Sequence, residues 1–359
     1  MDFPIFKTKT TEGKTFDLTD TASRLAYFEY KAGPEIQKLR DYLKNNTFIV
    51  YLLGKKGSGK GTYAKMLKEV VAPDLPAQAG KIEHLSIGDM VRGFDEVLKD
   101  EVKKKELIQF LHEKYRGPIS VDEIIAAMEG RSTKVLLPSE LILALAEREI
   151  TRLGKKAIFL DGFPRDMDQV SYSLFFKNLI DYRQDPDLFV LIDVPTDIID
   201  QRVKQRVVCP LCNTSRNLNL LPTKNVGYDK EAKKFYLVCD NPACSGATMV
   251  TKEGDEHGIE PIKGRLEKDE HLMGEIHKMH GIKKIFLRNS IPLGKVQENY
   301  DDYEITPEYT YSFDEPSGKV LIAQKPWEVK DDEGVASNSL MPPPVVVSLI
   351  KQLVRELGL

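Results

Sequence analysis

Phe48 to Val71 reads FIVYLLGKKGSGKGTYAKMLKEVV, a lysine among glycines between an apolar run and a helix-patterned segment. Backbone N–H groups at such a turn converge on an anion, and the helix dipole favours negative charge there. Gly57, Gly59 and Gly61 let the main chain approach a phosphate without side-chain collision. Lys60 can reach terminal phosphates, and the Thr62 hydroxyl can sit beside them or a metal-bound water. Gly54, Gly59 and Lys60 satisfy the spacing G-x-x-x-x-G-K. The hydroxyl that this pattern places next comes one residue late, at Thr62, behind Gly61.

Downstream, arginines 92, 165, 202, 206 and 265 fall within patterned strings. Phosphoryl transfer at such a turn crowds negative charge, and catalysis is mostly positioning and neutralisation. A phosphate acceptor is already anionic, so no general base is needed. Asp161, ending an apolar run before GFPR, is placed to hold a water on magnesium. One arginine in a helix is ordinarily a solvated surface charge; the strings carry the signal. Cys209 and Cys212 form a C-x2-C pair, and Cys239 and Cys244 a C-x4-C pair. Four thiolates so spaced suit one structural, tetrahedral zinc. His257, nearby, reads as a surface residue.

The string GSGKGT resembles the nucleoside monophosphate kinases, adenylate kinase most closely. That family reads G-x-P-G-S-G-K-G-T, with Lys56 here in place of the proline. HLSIGDMVR (84–92) resembles its S-T-G-D-x-x-R, which implies that Ser86, Ile87 and Arg92 line the monophosphate site. LLPSELILAL (136–145) resembles the segment over the monophosphate base, with Leu137. FLDGFPRDMDQ (159–169) is similar to D-G-F-P-R-x-x-x-Q, which implies Gly162 and Arg165 at the acceptor phosphate and Gln169 at its base. LIDVPTDIIDQRVKQR (191–206) resembles the strand and helix carrying lid arginines, Arg202 and Arg206, and IKGRLEKDEH brings Arg265. The resemblance implies ATP held by Gly57, Ser58, Gly59, Lys60, Gly61, Thr62 and Arg202. It implies magnesium-dependent transfer from ATP to AMP giving two ADP, by a monomer with a zinc-bearing lid. Another monophosphate (CMP, UMP or GMP) as acceptor, and a nucleotide-binding regulator without turnover, are the alternatives. Two departures stand out: Ile87 replaces the family threonine, and Lys252 with Asp255 is the nearest substitute for a lid arginine string.

These residues need a scaffold. TFIVYLL, IEHLSIG, KAIFLDG and DLFVLIDV are short apolar runs of the kind buried parallel strands show. PSELILALAEREITRLG (138–154) and PTDIIDQRVKQR (195–206) have helical spacing between them. The alternation predicts a mostly parallel α/β sheet flanked by helices, and the resemblance implies a P-loop-type fold with a helical monophosphate arm and a small β-rich zinc lid. The expected divisions are an extension (1–46), core (47–92), arm with an insertion (93–137), core (138–206), lid (207–258) and core with additions (259–359). GPEIQKLRDYLKNN predicts a helix in the extension, YTYSFDEPSGKVLIAQKPWEV (309–329) an added hairpin, SNSLMPPP a loop and VVVSLIKQLVREL a closing helix. With a net charge of −3, no apolar stretch of about 18 residues and no secretory signal, the expectation is a cytosolic protein with no nucleic-acid or membrane partner.

Overall fold

The structure is a computed structural model that describes residues 3–72, 80–129, 138–164, 185–212, 214–251 and 254–359, with only the backbone at 92 and 95. The four apolar runs become strands β1 (Ile49–Gly54), β2 (Ile82–Ser86), β3 (Ala157–Asp161) and β4 (Asp187–Asp193). They pair in parallel, with Ile49 opposite both Ile158 and Asp187. A fifth parallel strand, Lys283–Arg288, completes the order β10-β4-β1-β3-β2. The sequence reading did not identify this strand: its ends are Lys283, Lys284 and Arg288, and charged residues mask a short run at a sheet edge.

Alternation along the strands divides the core in two. Val50, Leu52, Leu188 and Val190 pack on one face with helices α1 (Thr21–Tyr42), α2 (Lys60–Val71) and the C-terminal helix (Pro342–Leu357). Ile49, Tyr51, Phe189 and Leu191 pack on the other with residues of α6 (Ser139–Leu153) and α8 (Lys263–Lys278). Burial on both faces is why these strands read as unbroken apolar runs.

Residues 3–46, within the segment read as an extension, are built into this core. Tyr27, Phe28, Ile36 and Leu39 of α1 are at most 1% exposed against the first face. The helix begins at the Asp20 cap, well before GPEIQK, and is kinked at Ala32, just ahead of Pro34, which has no N–H to donate. The arm has its own apolar cluster, formed by α3 (Ile87–Lys99), α4 (Glu101–Lys114) and α5 (Val121–Glu129) around Leu107, Leu111 and Ile124, with Leu141 and Leu145 of α6.

After α7 (Thr196–Lys204) comes the lid: β5 (Arg206–Val208), β6 (Ser215–Asn217), β7 (Asn225–Asp229), β8 (Lys234–Val238) and β9 (Val250–Thr251). They form two small antiparallel sheets, β6-β5-β9 and β7-β8. Beyond β10, β11 (Ser290–Pro292) is followed by a one-turn helix, α9 (Val296–Asn299). The segment read as a hairpin is β12 (Pro307–Asp314) against β13 (Lys319–Pro326). It leans on the lid, where Phe313 stacks on Tyr228 at 4.5 Å and Tyr311 donates to the Leu218 carbonyl at 2.5 Å. SNSLMPPP is not a loop. Its first residues fall in β15 (Ala336–Ser339), which pairs with β11 and with β14 (Glu328–Lys330). Its prolines open α10 (Pro342–Leu357), where a missing N–H costs nothing and the fixed φ is already helical.

Candidate active site

The glycine-rich turn joins the end of β1 to the start of α2. Gly57 and Gly59 have φ of +90° and +95°, in the left-handed region that favours glycine. Gly54 is fixed by space: a Cβ there would stand 2.7 Å from Ser58 Oγ and 3.0 Å from the Ile192 carbonyl oxygen. Lys60 folds back over its own loop, donating to the carbonyls of Gly54 at 2.8 Å and Lys55 at 3.2 Å. Burial lowers its pKa, opposed by the carboxylates of Asp161 and Asp269. Ser58 is fully buried, and its hydroxyl has no hydrogen-bond partner among the described residues. Thr62 is exposed in the first turn of α2.

The turn opens into a cleft of about 450 Å³ lined by Gly57, Lys60, Ser86, Asp161, Gly162 and Arg265, among others. Asp161, the last residue of β3, has one carboxylate oxygen 3.9 Å from Lys60 Nζ and the other 3.8 Å from His84 Nε2. A Cβ on Gly61 would meet the His84 ring at 3.4 Å, so this imidazole stands next to the place of the pattern's hydroxyl. Ser86 caps α3, accepting from the Asp89 amide at 3.2 Å. Arg265 is half exposed on α8, 3.9 Å from Asp269, which also accepts the Lys56 amide at 2.9 Å.

Several expected site residues lie elsewhere. Ile87 does not face the cleft. It is 0% exposed in the cluster containing Leu53, Ile142 and Leu160, because α3 begins there and turns its first side chain inward. Arg202 donates to Asn289 Oδ1 at 3.1 Å, and that amide donates to Tyr63 Oη at 3.0 Å. Burial pushes its pKa down, against the pull of Tyr63. Arg206 grips the Asp255 carboxylate through two bonds of 2.5 and 2.6 Å. Both arginines are thus engaged outside the cleft lining. Arg92 is on α3, and its side chain is not described; Leu137, Arg165, Gln169 and Lys252 lie outside the described residues. The reading from sequence missed His84 and Asp269. His84 heads the string HLSIGDMVR, and Asp269 falls four residues after Arg265, one helical turn away.

In the lid, the sulfurs of Cys209, Cys212, Cys239 and Cys244 all lie within 4.8 Å of one another. Cys212 and Cys239 are 3.7 Å apart. A tetrahedral zinc with arms of about 2.3 Å needs sulfurs about 3.8 Å apart, so the quartet fits that ion.

A parallel sheet whose central strand feeds a glycine-rich turn and a helix defines a P-loop α/β nucleotide-binding protein. Residues 53–208 match the family described as AAA domain. The adenylate kinase of Hydrogenobaculum sp. (strain Y04AAS1) is 29% identical over 222 residues, 62% of this chain and 83% of that protein. The adenylate kinase of Clostridium novyi (strain NT) is 31% identical over 217 residues, 60% of this chain and 78% of the relative. That of Thermotoga petrophila is 31% identical over 179 residues, 49% of this chain and 66% of the relative. On this likeness the chain belongs to the adenylate kinase family.

Proposed function

We propose that this protein transfers the terminal phosphoryl group of ATP to AMP, giving two ADP, with magnesium. The observation that carries the reading is the convergence of Lys60, Asp161 and Arg265 on one cleft beside the glycine-rich turn. The amides of 57–62 cradle the ATP phosphates, and Lys60 leaves its loop carbonyls to neutralise charge on the moving group. Magnesium, when bound with ATP, would add to that neutralisation, and Asp161 would be the residue placed to hold it through water. Ser86, Arg92, Gly162 and Arg165 serve the acceptor phosphate, and Leu137 and Gln169 its base. Arg202 and Arg206 reach the phosphates when the lid (207–258) and arm (93–137) close and exclude water. The cysteine quartet holds a structural zinc, and the protein works as a cytosolic monomer. No helix among the described residues is long and apolar enough to cross a membrane.

A coupled assay with ATP and each of AMP, GMP, CMP and UMP tests the proposal. AMP is the expected preferred acceptor. Preference for another monophosphate overturns the acceptor, and no turnover with any of them overturns the enzyme.

A further inference from the structure

Lys55 is the loop residue just after Gly54, and the transfer chemistry gives it no task. Its side chain is only 2% exposed, unusual for a lysine. A buried ammonium needs a partner, and the nearest is 277 residues away: Nζ is 2.5 Å from Asp332 Oδ2, with Glu270 Oε2 farther off at 3.7 Å. It also donates to Thr196 Oγ1 at 3.0 Å. Asp332 Oδ1 accepts the Thr196 amide at 2.8 Å, at the first residue of α7. One carboxylate therefore binds both the phosphate loop and the start of the helix that carries Arg202.

Asp332 is itself held firmly. It lies in the β14–β15 turn, where the Asp331 carboxylate accepts the amides of Glu333 at 3.2 Å and Val335 at 2.7 Å. Gly334 supplies the positive φ, +80°, that closes the turn. On the loop side, the Lys55 carbonyl accepts from Ser58 N at 3.0 Å and from Lys60 Nζ at 3.2 Å. The chain of contacts thus runs from the added segment through Asp332 and Lys55 to Lys60.

We propose that Asp332 is a positioning residue for the phosphate loop, acting through Lys55 to keep the loop amides and Lys60 in register for the ATP phosphates. The added C-terminal segment thereby becomes part of the nucleotide site. Where the family pattern has a proline two residues after Gly54, this chain has Lys56, and the Lys55–Asp332 pair supplies stiffness from outside the loop. This rests on the reading above that the loop binds ATP.

The test uses Asp332→Asn, Lys55→Gln and the double variant, each checked for folding by its melting curve. Calorimetric titration with MgATP and, separately, AMP gives affinities that need no turnover. Each single variant should weaken MgATP by about tenfold through loop misplacement, with AMP unchanged. The double variant should be no worse than either single one, as for two members of one unit. In the coupled assay KM for ATP should rise, with kcat falling far less than on loss of Lys60 itself. If Asp332→Asn fails to fold, Lys55→Gln carries the same measurements. Unchanged MgATP affinity, equal weakening of MgATP and AMP, or additive losses overturn the proposal. A parent protein that binds MgATP but phosphorylates no monophosphate defeats the transfer reading alone, and the latch is still decided by calorimetry. A parent that binds no MgATP defeats both.

Discussion

The central sheet and the lid are both built of short strands, yet different forces hold them. Each sheet face buries a large apolar cluster shared with helices. Among the described residues, the lid's buried cluster is Cys209, Leu237, Cys239, Cys244 and Met249, of which three are cysteines. A unit of some fifty residues that buries so little apolar surface falls short of what an independent fold ordinarily needs. A zinc held by the four cysteines would supply part of what is missing, and neighbours supply more, including the β12–β13 hairpin against Tyr228 and Leu218. The residues of the proposed mechanism divide in the same way: the Lys60 loop stands on the central sheet, while Arg206 opens the cysteine-bearing lid.

Zinc removal should have the largest effect and break the comparison most directly. Structural zinc of this type contributes on the order of 10 kcal/mol to the unit it staples. Chelation, or Cys244→Ser, should abolish amide-exchange protection in β5–β9 and leave β1, β3 and β4 protected. Metal analysis should find one zinc per chain. If lid and core lose protection together, the two are one cooperative unit and the contrast fails.

The core counterpart is Leu52→Ala, which removes a side chain 2% exposed at the centre of the sheet. It should cost about 2–5 kcal/mol of global stability in denaturant titration. A loss confined to the lid would contradict the division.

Lys60→Met sharpens the functional side. With one transition-state donor gone, turnover should fall about a hundredfold or more, equivalent to roughly 2.7 kcal/mol. Near-parental turnover would remove the loop from the catalytic machinery.

The smallest expected effect is at Ile87. A site role would make Ile87→Thr tighten AMP. Buried as it is, the new hydroxyl enters an apolar cluster, so the expected result is about 1–3 kcal/mol of lost stability with AMP affinity unchanged. Tighter AMP binding at equal stability would return this residue to the cleft.

Much of this protein was legible before any fold was known. The glycine spacing, the lysine and the strand before them are local, and local backbone demands write themselves into adjacent residues. The cysteine quartet is legible for the same reason, because metal geometry restricts spacing within each pair. The two-faced burial of the sheet shows as unbroken apolar runs, whereas β10, flanked by lysines at an edge, left no such trace.

The tertiary structure alone decided the rest. A helix start at Ser86 turned Ile87 from a predicted contact into core packing. The segment read as an extension became a core layer from residue 3 on, because α1 presents Tyr27, Phe28, Ile36 and Leu39 to a sheet face that nothing in its own sequence describes. Lys55 and Asp332 are 277 residues apart, and neither residue type hints at the other. Periodicity records which way a side chain points on its own element. Which distant group meets it depends on how the elements are docked, and that is settled only when the whole core closes.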